Sequence, residues 1–171
     1  MSGADASRGR GGLSAWMDFN LAVQGYCLTP AEGRALRWGL RFPTALCFAL
    51  VLTGLLLQSA VLILALVPIG AVAGWTRRHP FDLIWNYVIA RVSSAPPLPP
   101  NPTPRRHTFK VATAWLLLVG ILFAIGQSTA AVVLGAALLG ACAAVTVANF
   151  CVPSTLLAAR SRRRGRAAIA S

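Results

Sequence analysis

Few residues in this chain have side chains that could do chemistry. It carries two His, four Cys and four acidic residues among 171. The candidates near polar sequence are Cys27, His79, Asp82, His107, Asn149 and Cys151. His79 and Asp82 stand three apart, and no other pair has the spacing of metal ligands, so no metal site and no bound cofactor is expected. His79-Pro80-Phe81-Asp82 reads instead as a helix start, with Pro just inside and an acidic side chain facing the positive end of the helix dipole. Cys47 and Cys142 fall inside long apolar runs and read as small packing residues. Cys27 and Cys151 lie close to polar flanks, where a reducing compartment disfavours a disulfide but leaves a thiol free to react, and Cys151 is the candidate thiol.

These residues must be positioned by elements that are overwhelmingly apolar. The chain is 56% hydrophobic and 12% charged, with a net charge of +12. A nucleic-acid binder would place such charge on a polar domain, so this composition excludes that class and points to a bilayer. Four uncharged runs follow: Phe42 to Leu57, Ala60 to Trp75, Val111 to Gly126 and Thr129 to Val152. Gln58-Ser59 and Gln127-Ser128 separate the members of each pair, which predicts two hairpins, with each of the three shorter runs borrowing a turn from its flanks. The fold class expected is an all-α membrane protein of four transmembrane helices in two tandem hairpins, 42–75 and 110–152, within a domain spanning 29–157. Residues 1–28 read as a flexible or interfacial segment and 158–171 as a basic tail.

Every Lys and Arg lies before the first run, between the second and third, or after the fourth. By the positive-inside rule, both termini and the central segment face the cytoplasm, and anionic headgroups are the first partner of the basic clusters. Met1 to Ala15 has no apolar core, so the first span is expected to act as its own insertion signal. At an offset of 69 residues Arg41 falls on Lys110, Thr44-Ala45 on Thr113-Ala114, and Gln58-Ser59 on Gln127-Ser128, which reads as an internal repeat.

Between the hairpins, Pro80 to Val92 predicts an interfacial helix, with Asp82 and Asn86 on one face and Trp85 and Tyr87 as interfacial anchors. Residues 93–104 hold six Pro and predict an extended strap. Thr29-Pro30-Ala31-Glu32 predicts a capped helix running toward Arg41, before a kink or break at Pro43. Gly70 and Gly74 form a GxxxG pair, and Gly135 and Gly140 belong to a small-residue face. Both suit close helix packing, within the bundle or in a homodimer. No run contains Asp, Glu, Lys, Arg or His, so ion-coupled transport is not expected. Thr44, Thr53, Thr113, Thr146 and Asn149 could line a passive pore, but hydroxyls at this density commonly bond to their own helix backbone or hold helices together.

His79 to Asn86, the strap from Pro97 to Arg106, and Asn149-Phe150-Cys151-Val152-Pro153-Ser154 together resemble the bacterial integral membrane proteins of domain-of-unknown-function family 4395, from about Thr29 to Leu157. The resemblance implies a small inner-membrane protein without an established activity, associated with thioredoxin-like and rhodanese-type sulfurtransferase proteins. The favoured role is non-enzymatic: a cytoplasmic rim comprising His79, Pro80, Phe81, Asp82, Asn86, Asn149, Cys151 and Pro153 that presents a surface to a protein partner. The alternatives are thiol-dependent redox or sulfur handling at Cys151, and a passive small-solute channel.

Overall fold

The computed structural model describes residue 16 and residues 18–148, and among these all regular structure is helical. A short helix α1 (18–23) is followed by α2 (Pro30–Ala35), α3 (Phe42–Leu56) and α4 (Ala60–Trp75). Next come α5 (Pro80–Ser93), α6 (Thr103–Ala124) and α7 (Ser128–Ala148). Helices α6 and α7 are each long and apolar enough to cross a membrane, and α4 with α5 qualifies as one broken pair bent by 82°. Helix α3 is apolar but has only 15 residues. Among the described residues there are therefore two or three helices of spanning length and composition where the sequence predicts four spans. The shortfall arises because α3 and α4 end at tight turns, and α3 is preceded by hydrogen-bonded turns at Leu40, Arg41 and Phe42 in place of regular helix.

Glycine positions show how the helices pair. A Cβ at Gly70 would lie 2.5 Å from Thr113 Oγ1 and one at Gly74 would lie 2.8 Å from Lys110 Cγ, so the GxxxG pair sets α4 directly against α6. Likewise a Cβ at Gly135 would collide with Leu55, which ties α7 to α3, whereas Gly140 has open space around it. Gly54 against Ile63 joins α3 to α4, and Trp115 Nε1–H donates to Leu134 O at 3.1 Å between α6 and α7. The result is an up-down-up-down bundle with each helix antiparallel to its neighbours. Its core is Val51, Leu55, Ile63, Leu66, Leu116, Val119, Phe123, Ala131 and Leu138. The outer surface is also apolar, with Leu56, Val61, Ile125 and Val133 all exposed, as in a membrane protein. Thr53, Thr113 and Thr146 each donate to the carbonyl four residues back, and Thr44 donates to Arg41 O. These hydroxyl protons are held by their own helices.

Both interhelical turns use one residue in the left-handed region, Gln58 at φ 46° and Gly126 at φ 79°. In each, the following N–H reaches back five residues: Ser59 to Gly54 O and Gln127 to Leu122 O, the Schellman closure. The turns thus correspond at an offset of 68, one short of the 69 that aligns Gln58-Ser59 with Gln127-Ser128.

A second, smaller core sits at the end of the bundle where the described basic residues gather. Leu21, Tyr26, Leu36, Leu40, Trp85, Ala90 and Leu98 pack there, drawing in α1, the segment before α3, α5 and the strap. Segment 18–23, expected to be flexible or interfacial, is therefore a docked helix, because Leu21 has a buried site to fill. Helix α2 begins at the predicted Thr29 capping box but stops at Ala35, short of Arg41. Pro43 lies in the first turn of α3, where its missing N–H costs nothing, so it opens the helix and does not kink it. The strap is shorter than 93–104, because Thr103 and Pro104 already open α6.

Gly126→Ala should destabilise the detergent-solubilised protein by about 1 kcal/mol, since the added methyl meets only the penalty of positive φ. Gly140→Ala, in open space within a helix, should move stability the other way by up to about 1 kcal/mol. Thermal melts of the two variants beside the parent check both signs.

Candidate functional site

The site begins with a helix start. Asp82 Oδ2 accepts the His79 backbone N–H at 2.7 Å, and His79 Nδ1 accepts the Phe81 N–H at 3.1 Å, a reciprocal capping box in which an imidazole replaces the usual hydroxyl. The ring stacks edge-on to Phe109 with centroids 5.0 Å apart and lies 5.1 Å from Phe81. Because Nδ1 is an acceptor, the neutral ring carries its proton on Nε2, and that N–H faces Cys47 Sγ at 3.7 Å.

From Asp82 a buried polar chain runs outward. Asn101 Nδ2–H donates to Asp82 Oδ2 at 2.8 Å, and Tyr26 O–H donates to Asn101 Oδ1 at 2.9 Å. Arg105 in turn donates to Tyr26 Oη at 3.1 Å and to Leu40 O at 3.0 Å. Every proton points from the cation toward the carboxylate, so each bond polarises the next. The guanidinium also lies over the Tyr26 ring at 5.3 Å and the Phe109 ring at 5.7 Å. His79, Asp82, Asn101 and Arg105 are exposed by only 1%, 4%, 6% and 5%. Backbone bonds finish the anchorage: Asn101 N–H to Arg77 O at 2.7 Å and Leu98 N–H to Asn86 Oδ1 at 2.7 Å.

The electrostatics follow from this burial. Desolvation, reinforced by the charge of Arg105, pushes the His79 imidazole down to about 4. Burial raises the Asp82 carboxyl against the opposing pull of the His79 N–H, Arg105, Asn101 and Arg78. Burial likewise raises the Tyr26 phenol, opposed by Arg105. His79 is thus held neutral at pH 7 as a hydrogen-bond donor through Nε2.

The sequence-selected rim residues separate into three groups. His79, Pro80, Phe81, Asp82 and Asn86 come together, with Asp82 and Phe81 buried and Asn86 half-buried against the strap. Cys27 and His107 are exposed elsewhere on the rim. Asn149, Cys151 and Pro153 lie outside the described residues. Among the described residues, no group of three His, Cys, Asp or Glu side chains could hold a metal ion. Helix α5 is turned inside out relative to a soluble amphipathic helix: Asp82 faces in, while Leu83, Ile84, Tyr87, Val88 and Val92 are exposed. Trp85, expected as an interfacial anchor, is instead buried, its Nε1–H donating to Pro96 O at 3.3 Å. A π turn over Trp85–Ile89 widens the helix where this packing occurs.

Sequence reasoning missed Tyr26 and Cys47 and saw Asn101 and Arg105 only as members of the strap motif. The one local signal was Arg105 directly after the Pro-rich stretch, two positions into a helix. Cys47, read as a packing residue, lines a cavity of about 150 Å³ together with His79 and Cys142.

Tyr26→Phe leaves Asn101 Oδ1 and an Arg105 N–H short of a partner in a buried site, and should cost about 1–3 kcal/mol in chemical unfolding. For His79 the folded value lies below the ordinary 6.5, so stability present at pH 7.5 is lost as pH falls through 6.5 toward 4, by about 3 kcal/mol at most. Asp82, shifted upward, contributes in the opposite sense. Melts at pH 7.5 and 5 should therefore show a steeper loss in the parent than in His79→Asn, whose amide oxygen can still cap Phe81 N–H.

No curated protein and no solved structure matches the chain. A family profile described as Domain of unknown function (DUF4395) matches residues 37–160, the greater part of the sequence and all of α3 to α7. On that match, the chain belongs to the DUF4395 family.

Proposed function

We propose that this protein crosses the bacterial inner membrane four times and presents a preformed cytoplasmic platform to a protein partner. The observation that carries the reading is the buried Arg105–Tyr26–Asn101–Asp82 chain, which binds three distant segments into one rigid body at the cation-rich end. A structure that only needed to stay in the membrane has no use for such a costly polar core outside its spans. Hydrogen-bonded turns running from Trp38 into α3 give that helix a continuous hydrogen-bonded length near the ~20 residues a span needs.

The rim supports the orientation. Trp38, Trp75 and Tyr87 are exposed by 70%, 62% and 58%. Each has a cation beside its ring: Arg37 at 6.0 Å, Lys110 at 4.9 Å and Arg91 at 5.7 Å. Aromatic rings paired with cations suit a headgroup layer, with anionic lipid as counterion and the basic end inside. Above that layer, the strap and the 24–40 segment form the face left for a partner. The thioredoxin-like or sulfurtransferase protein implied by the family is the partner class to test first, and a homodimer the next.

A thiol-dependent role is the second reading, favoured by Cys47 Sγ lying 3.7 Å from His79 Nε2, with Cys142 on the same cavity wall. His79 there donates a hydrogen bond and so would stabilise a thiolate; it would not act as its base.

Periplasmic reporters fused at Ser59 and at Ser128 should be active and one fused at Pro100 silent. In the same membranes, a photocrosslinker at Thr103, exposed beside the strap, should capture a defined protein, and Tyr26→Phe should weaken that capture. Activity at Pro100, or capture of nothing by Thr103, rejects the reading.

A further inference from the structure

The cavity between α3, α4, α6 and α7 has walls of very unequal chemistry. Most of its lining is apolar, from Val51, Leu66, Phe109, Trp115 and Leu138, and at about 150 Å³ it is the size that admits a single benzene-like ring. Its polar end offers donors. Arg105 lies there, but its terminal nitrogens already serve Tyr26 and Leu40 O, and its charge is linked through the polar chain to Asp82. Of the other lining donors, Gln24 Nε2–H serves Asn20 O and the hydroxyls of Thr44, Thr108 and Thr113 serve carbonyls of their own helices or helix starts, whereas His79 Nε2–H has a thiol sulfur for a neighbour at 3.7 Å. Asp82 is not in the wall, and among the described residues no carboxylate lines it to compete for the donor. Val111 on α6 and Ala141 on α7 belong to the lining and are also exposed, which places a mouth on the outer surface of the bundle.

We propose that this cavity binds the head ring of a lipid-soluble quinone, entering from the bilayer between Val111 and Ala141, with one carbonyl oxygen accepting the His79 Nε2–H. A neutral carbonyl is the acceptor that fits, because Arg105, the cation among the described lining residues, is already engaged and an added anion would be buried without compensation. A planar ring fills the apolar part against Phe109 and Trp115. A long N–H···S contact is exchanged for an N–H···O bond, so the binding gains where the free protein is weakly satisfied. The proposal is independent of the partner platform: it concerns the spanning helices, and a protein that captures no partner could still bind the ring.

The test uses the full chain in dodecyl maltoside titrated with duroquinone, whose four ring methyls block addition of thiols. Binding is read as saturable quenching of tryptophan fluorescence and by competition with durene, the same ring without carbonyls. Duroquinone should bind about tenfold more tightly than durene, and His79→Asn, which can keep the helix cap but lacks the Nε2–H, should weaken duroquinone about tenfold while leaving durene unchanged. Ala141→Trp, at the exposed mouth and away from the core, should abolish saturable quenching with no loss of thermal stability. Linear quenching without saturation, durene binding as tightly as duroquinone, or an Ala141→Trp protein that binds like the parent each overturns the proposal. Saturable binding found only after residues 149–171 are removed would also overturn it, as that segment would then be the occupant.

Discussion

The constraint on which the rest of this structure depends is the burial of opposite charges that communicate through two neutral side chains. Arg105 and Asp82 are each almost wholly removed from solvent, and either alone would be prohibitively costly there. Tyr26 and Asn101 make the burial tolerable, since the phenol accepts from the cation and donates to the amide, and the amide donates to the carboxylate. The direction is fixed by chemistry. Arg has only donors and an ionised carboxylate only acceptors, so each intermediate must accept on one side and donate on the other. Tyr and Asn can both do so.

Much of the local architecture follows from that chain. Asp82 must point inward, which turns the polar face of α5 toward the bundle and leaves Leu83, Ile84, Tyr87 and Val88 outside. A helix so arranged needs an apolar neighbour over its outer face. The 82° bend between α4 and α5 is the geometric expression of the same demand, because a straight continuation would carry Asp82 away from Asn101. The π turn inserts its extra residue immediately afterward, and Trp85 and Asn86 then both reach the strap. The strap itself has little backbone hydrogen bonding of its own, and its position is set by Trp85 to Pro96 O, Asn86 to Leu98 N–H and Arg77 O to Asn101 N–H.

What was legible in the sequence is what depends on neighbours along the chain. Apolar runs, the Thr29 and His79 caps and the GxxxG pair are written in consecutive residues, and each corresponds to a local element. Their lengths were less legible, since α6 begins at Thr103 inside a Pro-rich stretch. Pro is tolerated in a first helical turn, so proline density could not mark where the strap ends. Tyr26 was invisible because its partners lie 75 and 79 residues away. Cys47 was read as packing since a hydropathy pattern locates a residue within a span but not the void beside it. Trp85 was given to the interface on its amphipathic ring, whereas its indole N–H is satisfied by the strap inside.

The helix cap also decides what chemistry the cavity can offer. An imidazole with both nitrogens free could take a proton from Cys47 and make it nucleophilic. Here Phe81 N–H occupies Nδ1, so the neutral ring has its proton on Nε2 and no lone pair left for a thiol. Burial and the charge of Arg105 hold the His79 value low, and protonation would in addition forfeit the Phe81 bond. The cavity therefore presents a fixed donor over a wide pH range. It favours an acceptor, or a thiolate generated by some other base, and disfavours a His-activated thiol. A capping box made with His in place of Ser or Thr thus couples the start of α5 to the interior of the bundle. The residue that begins α5 is the same one that sets the polarity of the cavity.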